Sequence, residues 1–157
     1  MISWIVFHGQ QRLDPRNHTK RHELDFDTNL SYSALCKDHL AKPRNAGELA
    51  DANAVAEEIN PVCGDRLRLS LRVRKGRIEA ARFLAYGCPP TLVCGSVLTE
   101  QLEGKTVGEA MRLTRKDLLD AVGGLPARKQ HAAALAIETL RVALETGCSE
   151  LLKPEKE

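Results

Sequence analysis

Two of the five cysteines flank a stretch of sequence that is typical of a β-hairpin. If the turn is centred on Lys75 and Gly76, facing residues have numbers that sum to 151, as do those of Cys63 and Cys88. Both thiols are then expected at the open end of the hairpin, on neighbouring backbones about 5 Å apart. Two thiols held in this way make half of a metal site.

Two further side chains could complete the set of donors. Asp65 follows Cys63 by two residues, so in an extended segment its carboxylate returns to the same side of the chain. His131 lies at the start of the last predicted helix, where its imidazole can point out of the helix end. Such a set suits Zn(II) or iron, and the predicted ligands are Cys63, Asp65, Cys88 and His131. The alternative is that both cysteines are small buried hydrophobic residues, as free cysteines often are.

The other three cysteines are interpreted differently. Cys94 and Cys36 fall on predicted helices, and a packing role is favoured for both. Cys148 lies 17 residues beyond His131, and a continuous helix would carry it about 25 Å away from the site. An odd number of cysteines at irregular spacings, with no secretory signal before them, favours free thiols in a cytoplasmic protein.

Charge and hydropathy argue against two classes of partner. A net charge of +2 is too small to indicate nucleic acid, and no apolar run approaches the roughly 20 residues of a membrane span. One set of basic residues is interpreted as a solvated sheet face, or alternatively as a docking surface for an acidic partner. Its members are Arg66, Arg68, Arg72, Arg74, Lys75 and Arg77.

The hydrophobic pattern predicts an α+β fold, with a small antiparallel sheet of about three strands packed against several helices. Strands are expected within 48–59, over 66–74 and over 78–86, the second because apolar and polar residues alternate strictly. Helices are expected over 32–41, from Pro89 to just before Gly104, over 115–122, and from after Pro126 to about Glu145. Gly147 is the expected cap of the last helix.

A length of 157 residues fits one compact domain, which we place at residues 32–147. Residues 1–31 are polar and lack sustained periodicity, so we predict a disordered extension or a mis-assigned start. Residues 148–157 are predicted to form a polar C-terminal tail.

Three segments resemble the ligand-bearing segments of iron–sulfur cluster assembly scaffolds of the IscU, NifU N-terminal and SufU type. They read Asn-Pro-Val-Cys-Gly-Asp at 60–65, Ala-Arg-Phe-Leu-Ala-Tyr-Gly-Cys at 81–88 and Leu-Pro-Ala-Arg-Lys-Gln-His at 125–131. The resemblance extends in order over about residues 32–146. It implies the IscU/NifU-like α+β fold and a carrier protein rather than an enzyme.

The resemblance also implies partners and residue roles. Such a scaffold receives sulfur from a cysteine desulfurase and iron from an iron donor, assembles a 2Fe–2S cluster and passes it to apo acceptor proteins. Cys63 and Cys88 would be ligands of the cluster, or of zinc in the same site, and Asp65 would keep the cluster labile or bind zinc. His131 corresponds to the histidine before the family's third cysteine. Residues 125–131 resemble the segment that an Hsp70-type chaperone recognises.

The chain departs from that pattern at Ala132, where the family carries its third cysteine. A methyl group can neither bind iron nor accept a persulfide. Three hypotheses follow: a working scaffold in which His131 replaces the lost thiolate, a zinc-bound sulfur acceptor similar to SufU, and a degenerate regulatory relative. The scaffold is favoured because the other four ligand-type residues are present.

Overall fold

Three antiparallel strands form one sheet in the computed structural model of this chain, which describes residues 32–151 and the side chains of residues 32–147. The strands are β1 (Ala54–Ile59), β2 (Arg66–Arg74) and β3 (Arg77–Tyr86), and they are neighbours in the sheet in the same order as in the chain. The prediction for β2 is confirmed at both ends. Strand β3 begins one residue before its predicted start, and β1 occupies only the second half of the segment proposed for it.

The described helices pack around this sheet. They are α1 (Ala34–Ala41), α2 (Pro89–Leu102), α3 (Val107–Met111), α4 (Arg115–Ala121) and α5 (His131–Leu151), with a short 3-10 helix at Ala127–Lys129. Helix α5 lies on β1 and β2, and α2 lies on β3. The α+β class with a three-stranded antiparallel sheet is therefore confirmed.

Alternation along β2 explains how the core forms. Leu67, Leu69 and Leu71 are fully buried, whereas Arg66 and Arg68 on the opposite face are half-buried. Several arginines of that face contact acidic side chains of the same chain: Arg68 lies 3.0 Å from Glu48, and Arg72 lies 2.6 Å from Asp51. These pairings support the interpretation of a solvated sheet face, because the charges already have partners within the fold.

A β-bulge changes the register of the hairpin. Next to the turn, Val73 pairs with Ile78, as the sequence predicts, but between Arg72 and Val73 the pairing shifts by one residue. From there to the open end, where Arg66 pairs with Tyr86, facing residues have numbers that sum to 152. The extra residue of a bulge faces no partner, so every pair beyond it is displaced by one residue. The predicted pairing of Cys63 with Cys88 is therefore wrong by one residue.

A buried hydrogen-bond network holds α1 against α2. The Ser96 hydroxyl oxygen accepts the backbone N–H of Arg44 at 2.8 Å and forms a hydrogen bond of 2.7 Å with Nδ1 of His39. Burial, followed by the charge of Arg44, lowers the pKa of His39, which favours the neutral ring. Helix α1 is thereby fixed to α2, whose N-cap residue is Cys88.

Two features of the helices were not predicted. Helix α3 begins with a capping box in which Thr106 accepts the N–H of Glu109, and the Glu109 carboxylate accepts the N–H of Thr106. Gly147 lies inside α5 and does not end it, so its predicted role as a cap is wrong. A Cβ at Gly147 would stand 2.5 Å from Cβ of Ala54, so this glycine allows α5 to approach β1 closely.

Some sequence-based expectations lie outside the described residues. Residues 1–31 are not described, nor is the side chain of Cys148. Helix α5 continues to Leu151, four residues into the segment proposed as a tail. The division of the chain into extension, domain and tail stays a prediction. In the described part, no helix is both long and apolar enough to cross a bilayer.

The packing of α2 on β3 gives a stability prediction. A Cβ at Gly95 would lie 2.4 Å from the ring of Phe83, which is fully buried. We expect Gly95→Ala to lower the free energy of unfolding by about 1–3 kcal/mol, because an overpacked core outweighs the better helix propensity of alanine. Urea unfolding of the metal-free protein measures this.

The matched control is Gly108→Ala on α3, where an added Cβ meets no atom within 4 Å. This change should leave stability within about 1 kcal/mol of the parent, or raise it. Equal stability of the two variants would contradict the packing described for Gly95.

Candidate metal centre

The candidate site lies at the open end of the β2–β3 hairpin, where three segments of the chain converge. They are the loop from β1 to β2, the junction of β3 with α2, and the first residue of α5. The four predicted ligands, distributed over residues 63–131 of the sequence, all lie at this end of the sheet.

The loop before β2 presents Cys63 to solvent. Asn60 closes the loop, since its carbonyl accepts the N–H of Gly64 at 2.7 Å and its own N–H donates to the carbonyl of Asp65 at 2.8 Å. Gly64 adopts a φ of 75°, which favours glycine. Cys63 is exposed at the tip, and its neighbour Val62 is 93% exposed.

Asp65 is buried in the middle of the site. Its Oδ1 accepts the backbone N–H of Cys88 at 3.1 Å. Its Oδ2 accepts the thiol of Cys88 at 2.8 Å and the hydroxyl of Thr91 at 3.0 Å. The carboxylate is thus held at both oxygens, although only 4% of the residue is exposed.

The register shift explains why Cys88 meets the carboxylate. Arg66 pairs with Tyr86, and if this register continues by one residue, Asp65 lies opposite Gly87. Cys88 follows Gly87 in the chain and therefore lies beside Asp65. A Cβ at Gly87 would lie only 2.1 Å from Oδ1 of Asp65, so the absence of a side chain there makes room for the carboxylate. In the observed register the thiol of Cys88 therefore contacts the carboxylate of Asp65.

The environment of the site shifts its ionisation. Burial, followed by the hydrogen bond to Asp65, raises the pKa of the Cys88 thiol to about 11. Burial also tends to raise the pKa of Asp65, but hydrogen bonds from Cys88 and Thr91 outweigh it, and the pKa lies below the ordinary value. Without metal, the site therefore holds a carboxylate beside a protonated thiol.

His131 presents a free nitrogen to the site. Its Nδ1 lies 3.1 Å from the carbonyl oxygen of Arg128, and because a carbonyl oxygen only accepts, Nδ1 carries the proton. In the neutral ring Nε2 then has a lone pair. Nε2 lies 3.6 Å from Oδ2 of Asp65 and is a buried atom with no hydrogen-bond partner in the described part of the chain.

The donor atoms of Cys63, Asp65 and His131 lie within 4.8 Å of one another. Cys88 is not a member of that group and joins the site through its hydrogen bonds to Asp65. A set of sulfur, oxygen and nitrogen donors suits Zn(II) or iron. Nε2 of His131 is the strongest sign that the residues fit such an ion, because it is a buried polar atom with no hydrogen bond within the described part of the chain, which costs free energy.

Residues interpreted as packing groups are found in the core. Cys36 and Cys94 are both fully buried, and burial raises the pKa of each thiol, that of Cys36 to about 11. Ala132 is fully buried as well and belongs to the hydrophobic core. At the start of α5, the side chain that could act as a donor is thus the His131 imidazole.

Sequence reasoning missed two residues of this site. Thr91 touches Asp65 and lies near Cys88, but a threonine within an apolar helix gives no signal of its own. Gly87 stands directly before Cys88 in the sequence, which gives no signal of its own. Its position opposite Asp65 depends on the bulge, which the alternation pattern does not reveal.

The close approach at Gly87 leads to a second prediction. Gly87→Ala should lower the affinity for zinc by at least about tenfold, because the new Cβ displaces the carboxylate and φ here is 137°. Titration of the metal-free protein against a chromophoric chelator measures the affinity.

Gly76→Ala is the control, since this glycine also has a positive φ but lies in the distant turn with no atom within 4 Å of an added Cβ. It should cost stability and leave zinc affinity unchanged. A Gly87→Ala protein that binds zinc as the parent does would disprove the role given to this glycine.

Comparisons with known proteins agree with this fold. Residues 31–147 match the profile of the NifU-like N terminal domain. The chain is 41% identical over 113 residues to the iron-sulfur cluster assembly scaffold protein IscU 1 of Archaeoglobus fulgidus, covering 72% of this chain and 74% of that protein. It is 40% identical over 118 residues to IscU of Aquifex aeolicus, covering 74% and 75%.

A solved structure also has this fold. The NifU-like protein (N-terminal) from Brucella abortus superposes with a TM-score of 0.64 over 75% of this chain and 94% of that chain, at 15% identity. This likeness bears on the fold alone. The sequence matches show that the chain belongs to the NifU-like N-terminal domain family and is related to IscU scaffold proteins.

Proposed function

We propose that this protein is an iron–sulfur cluster assembly scaffold, which binds iron and sulfide and transfers a 2Fe–2S cluster to acceptor proteins. The observation that carries the proposal is the convergence of the donor atoms of Cys63, Asp65 and His131 within 4.8 Å of one another. The thiol of Cys88 forms a hydrogen bond with the carboxylate of Asp65. Relatives about 40% identical over most of their length are named as scaffold proteins of this kind. The proposed role is that of a carrier rather than an enzyme.

The proposed ligands would differ in how strongly they bind the iron of the cluster. Two cysteines offer thiolates, which are strong ligands of iron in clusters, whereas Asp65 and His131 offer oxygen and nitrogen. Binding requires the proton of the Cys88 thiol to leave, and the Asp65 carboxylate that accepts this proton in a hydrogen bond is adjacent. A mixed set of this kind suits a protein that must release what it binds.

His131 is proposed to replace the thiolate that Ala132 cannot supply. The imidazole has its Nδ1 fixed by the carbonyl of Arg128, which directs Nε2 toward Asp65. Clusters with mixed cysteine and histidine ligands are chemically sound. Zinc is a further proposed occupant of the same site, because it accepts sulfur, nitrogen and oxygen ligands.

A cysteine desulfurase, an iron donor and apo acceptor proteins are the proposed partners. Apolar side chains at the same end of the sheet support contact with proteins there, since Val62 is 93% exposed, Tyr86 63% and Ile59 48%. The described cysteines are free thiols, which suits a reducing compartment such as the cytoplasm.

An Hsp70-type chaperone is proposed to contact residues 125–131. Within this segment Ala127 and Arg128 are exposed, but Leu125 is only 7% exposed. A chaperone that engages Leu125 would require local opening of the segment before α5.

Reconstitution tests the scaffold function. The metal-free protein, incubated anaerobically with ferric iron and sulfide and then desalted, should show visible absorption and about two iron atoms per chain. Cys63→Ser and Cys88→Ser should each lose most of this absorption, because a thiolate ligand is removed.

Cys94→Ala is the matched control for these variants, since Cys94 is fully buried among core residues. It should retain the cluster. Zinc binding with a persulfide from a desulfurase, but no cluster, would instead indicate a sulfur acceptor. Absence of cluster, zinc and persulfide would refute the proposal and favour a regulatory relative.

The exposed apolar residue beside Cys63 gives a further prediction. Val62→Asp should slow persulfide formation on this protein by about tenfold, because a charge replaces an apolar contact with the partner. The assay uses cysteine and a cysteine desulfurase from the same genome. Zinc affinity should not change.

Met111→Asp provides the comparison. Met111 is also partly exposed, but it lies on α3, which contacts the turn of the hairpin at Gly76, far along the strands from the site. If both variants slow the transfer equally, the patch at Val62 is not the contact surface.

A further inference from the structure

A buried hydroxyl within the candidate centre has no role in the function proposed above. Thr91, in the first turn of α2, is fully buried. Its Oγ1 donates to Oδ2 of Asp65 at 3.0 Å and lies 3.4 Å from Sγ of Cys88. The hydroxyl therefore reaches two of the four proposed ligands.

This arrangement differs from that of other buried threonines on the described helices. Thr99 and Thr139 are equally buried, but their hydroxyls donate to backbone carbonyls one turn earlier, at Gly95 and Leu135. That is the ordinary way in which a helical threonine satisfies its hydroxyl. Thr91 instead directs its only hydroxyl proton to a side chain from another element.

We propose that Thr91 is a positioning residue of the metal centre, which fixes the Asp65 carboxylate and supports the negative charge of Asp65 and Cys88 when an ion is bound. The inference rests on the proposed use of this site for metal. It assigns a role to a residue that is not itself a ligand.

The geometry shows how one hydroxyl can do this. The backbone N–H of Cys88 holds Oδ1 of Asp65, and the Thr91 hydroxyl holds Oδ2. With both oxygens held, the carboxylate cannot rotate, and Oδ2 stays 3.6 Å from Nε2 of His131. When Cys88 binds an ion, its thiol loses the proton that it donates to Oδ2 of Asp65. The Thr91 hydroxyl then continues to donate to Oδ2, and removing it would remove this hydrogen bond as well.

Loss of the hydroxyl should therefore weaken metal binding more than it weakens the fold. Partners of metal ligands typically change affinity by about 10–100-fold when they are removed. Thr91→Val removes the hydroxyl and keeps the volume, whereas Thr91→Ser keeps the hydroxyl. Thr99→Val removes an equally buried hydroxyl from the same helix outside the site.

The experiment measures the affinity of the metal-free full-length variants for zinc by chelator competition, with the absorption of bound cobalt as a second readout. We expect Thr91→Val to bind zinc at least about tenfold more weakly and to shift the cobalt spectrum, while Thr91→Ser and Thr99→Val stay within about threefold of the parent. If valine disturbs folding, Thr91→Ala tests the same loss.

Parent-like affinity in Thr91→Val, or an equal loss in Thr99→Val, would overturn the proposal. So would a parent protein that binds neither metal. Because only zinc and cobalt are used, the result does not depend on cluster assembly: a protein that binds zinc but fails reconstitution would refute the scaffold function and leave this test intact.

Discussion

The structure of the site depends on one buried carboxylate. Asp65 accepts hydrogen bonds from a backbone N–H, a thiol and a hydroxyl, and these lower its pKa although burial acts in the opposite direction. A buried charge with fewer partners would cost several kcal/mol. The surrounding elements are placed so that the charge is satisfied, and the proposed ligands converge on it as a result.

The hairpin sets that position through its register. The bulge between Arg72 and Val73 moves the pairing by one residue, which brings Asp65 opposite Gly87. Because side chains alternate between faces, a hairpin without the bulge would place a different residue beside Cys88. The missing side chain of Gly87 then provides the space that the carboxylate occupies. An irregularity near the turn thus determines the chemistry at the opposite end.

The sequence predicted the elements well because their signals are local. Alternation over 66–74 identified β2, and Pro89 marked the start of α2. The four proposed ligands were also named in advance, and all four lie at one end of the sheet. Their arrangement was not predicted, since it follows from the bulge and from the Thr91 hydroxyl. Helix α3 was missed although Thr106 and Glu109 form a capping box, because its five residues show no periodicity.

Because Cys63 is exposed, one side of the centre is open to solvent and the other is buried. Asp65 is fixed within the protein, whereas Cys63 sits on a loop open to solvent. A thiolate of another protein that competes for a bound ion would reach the Cys63 side first. Transfer of the ion would then begin at Cys63, whose bond to the ion would be replaced before that of the buried Asp65. The ion would pass directly between the two proteins and would not enter bulk water.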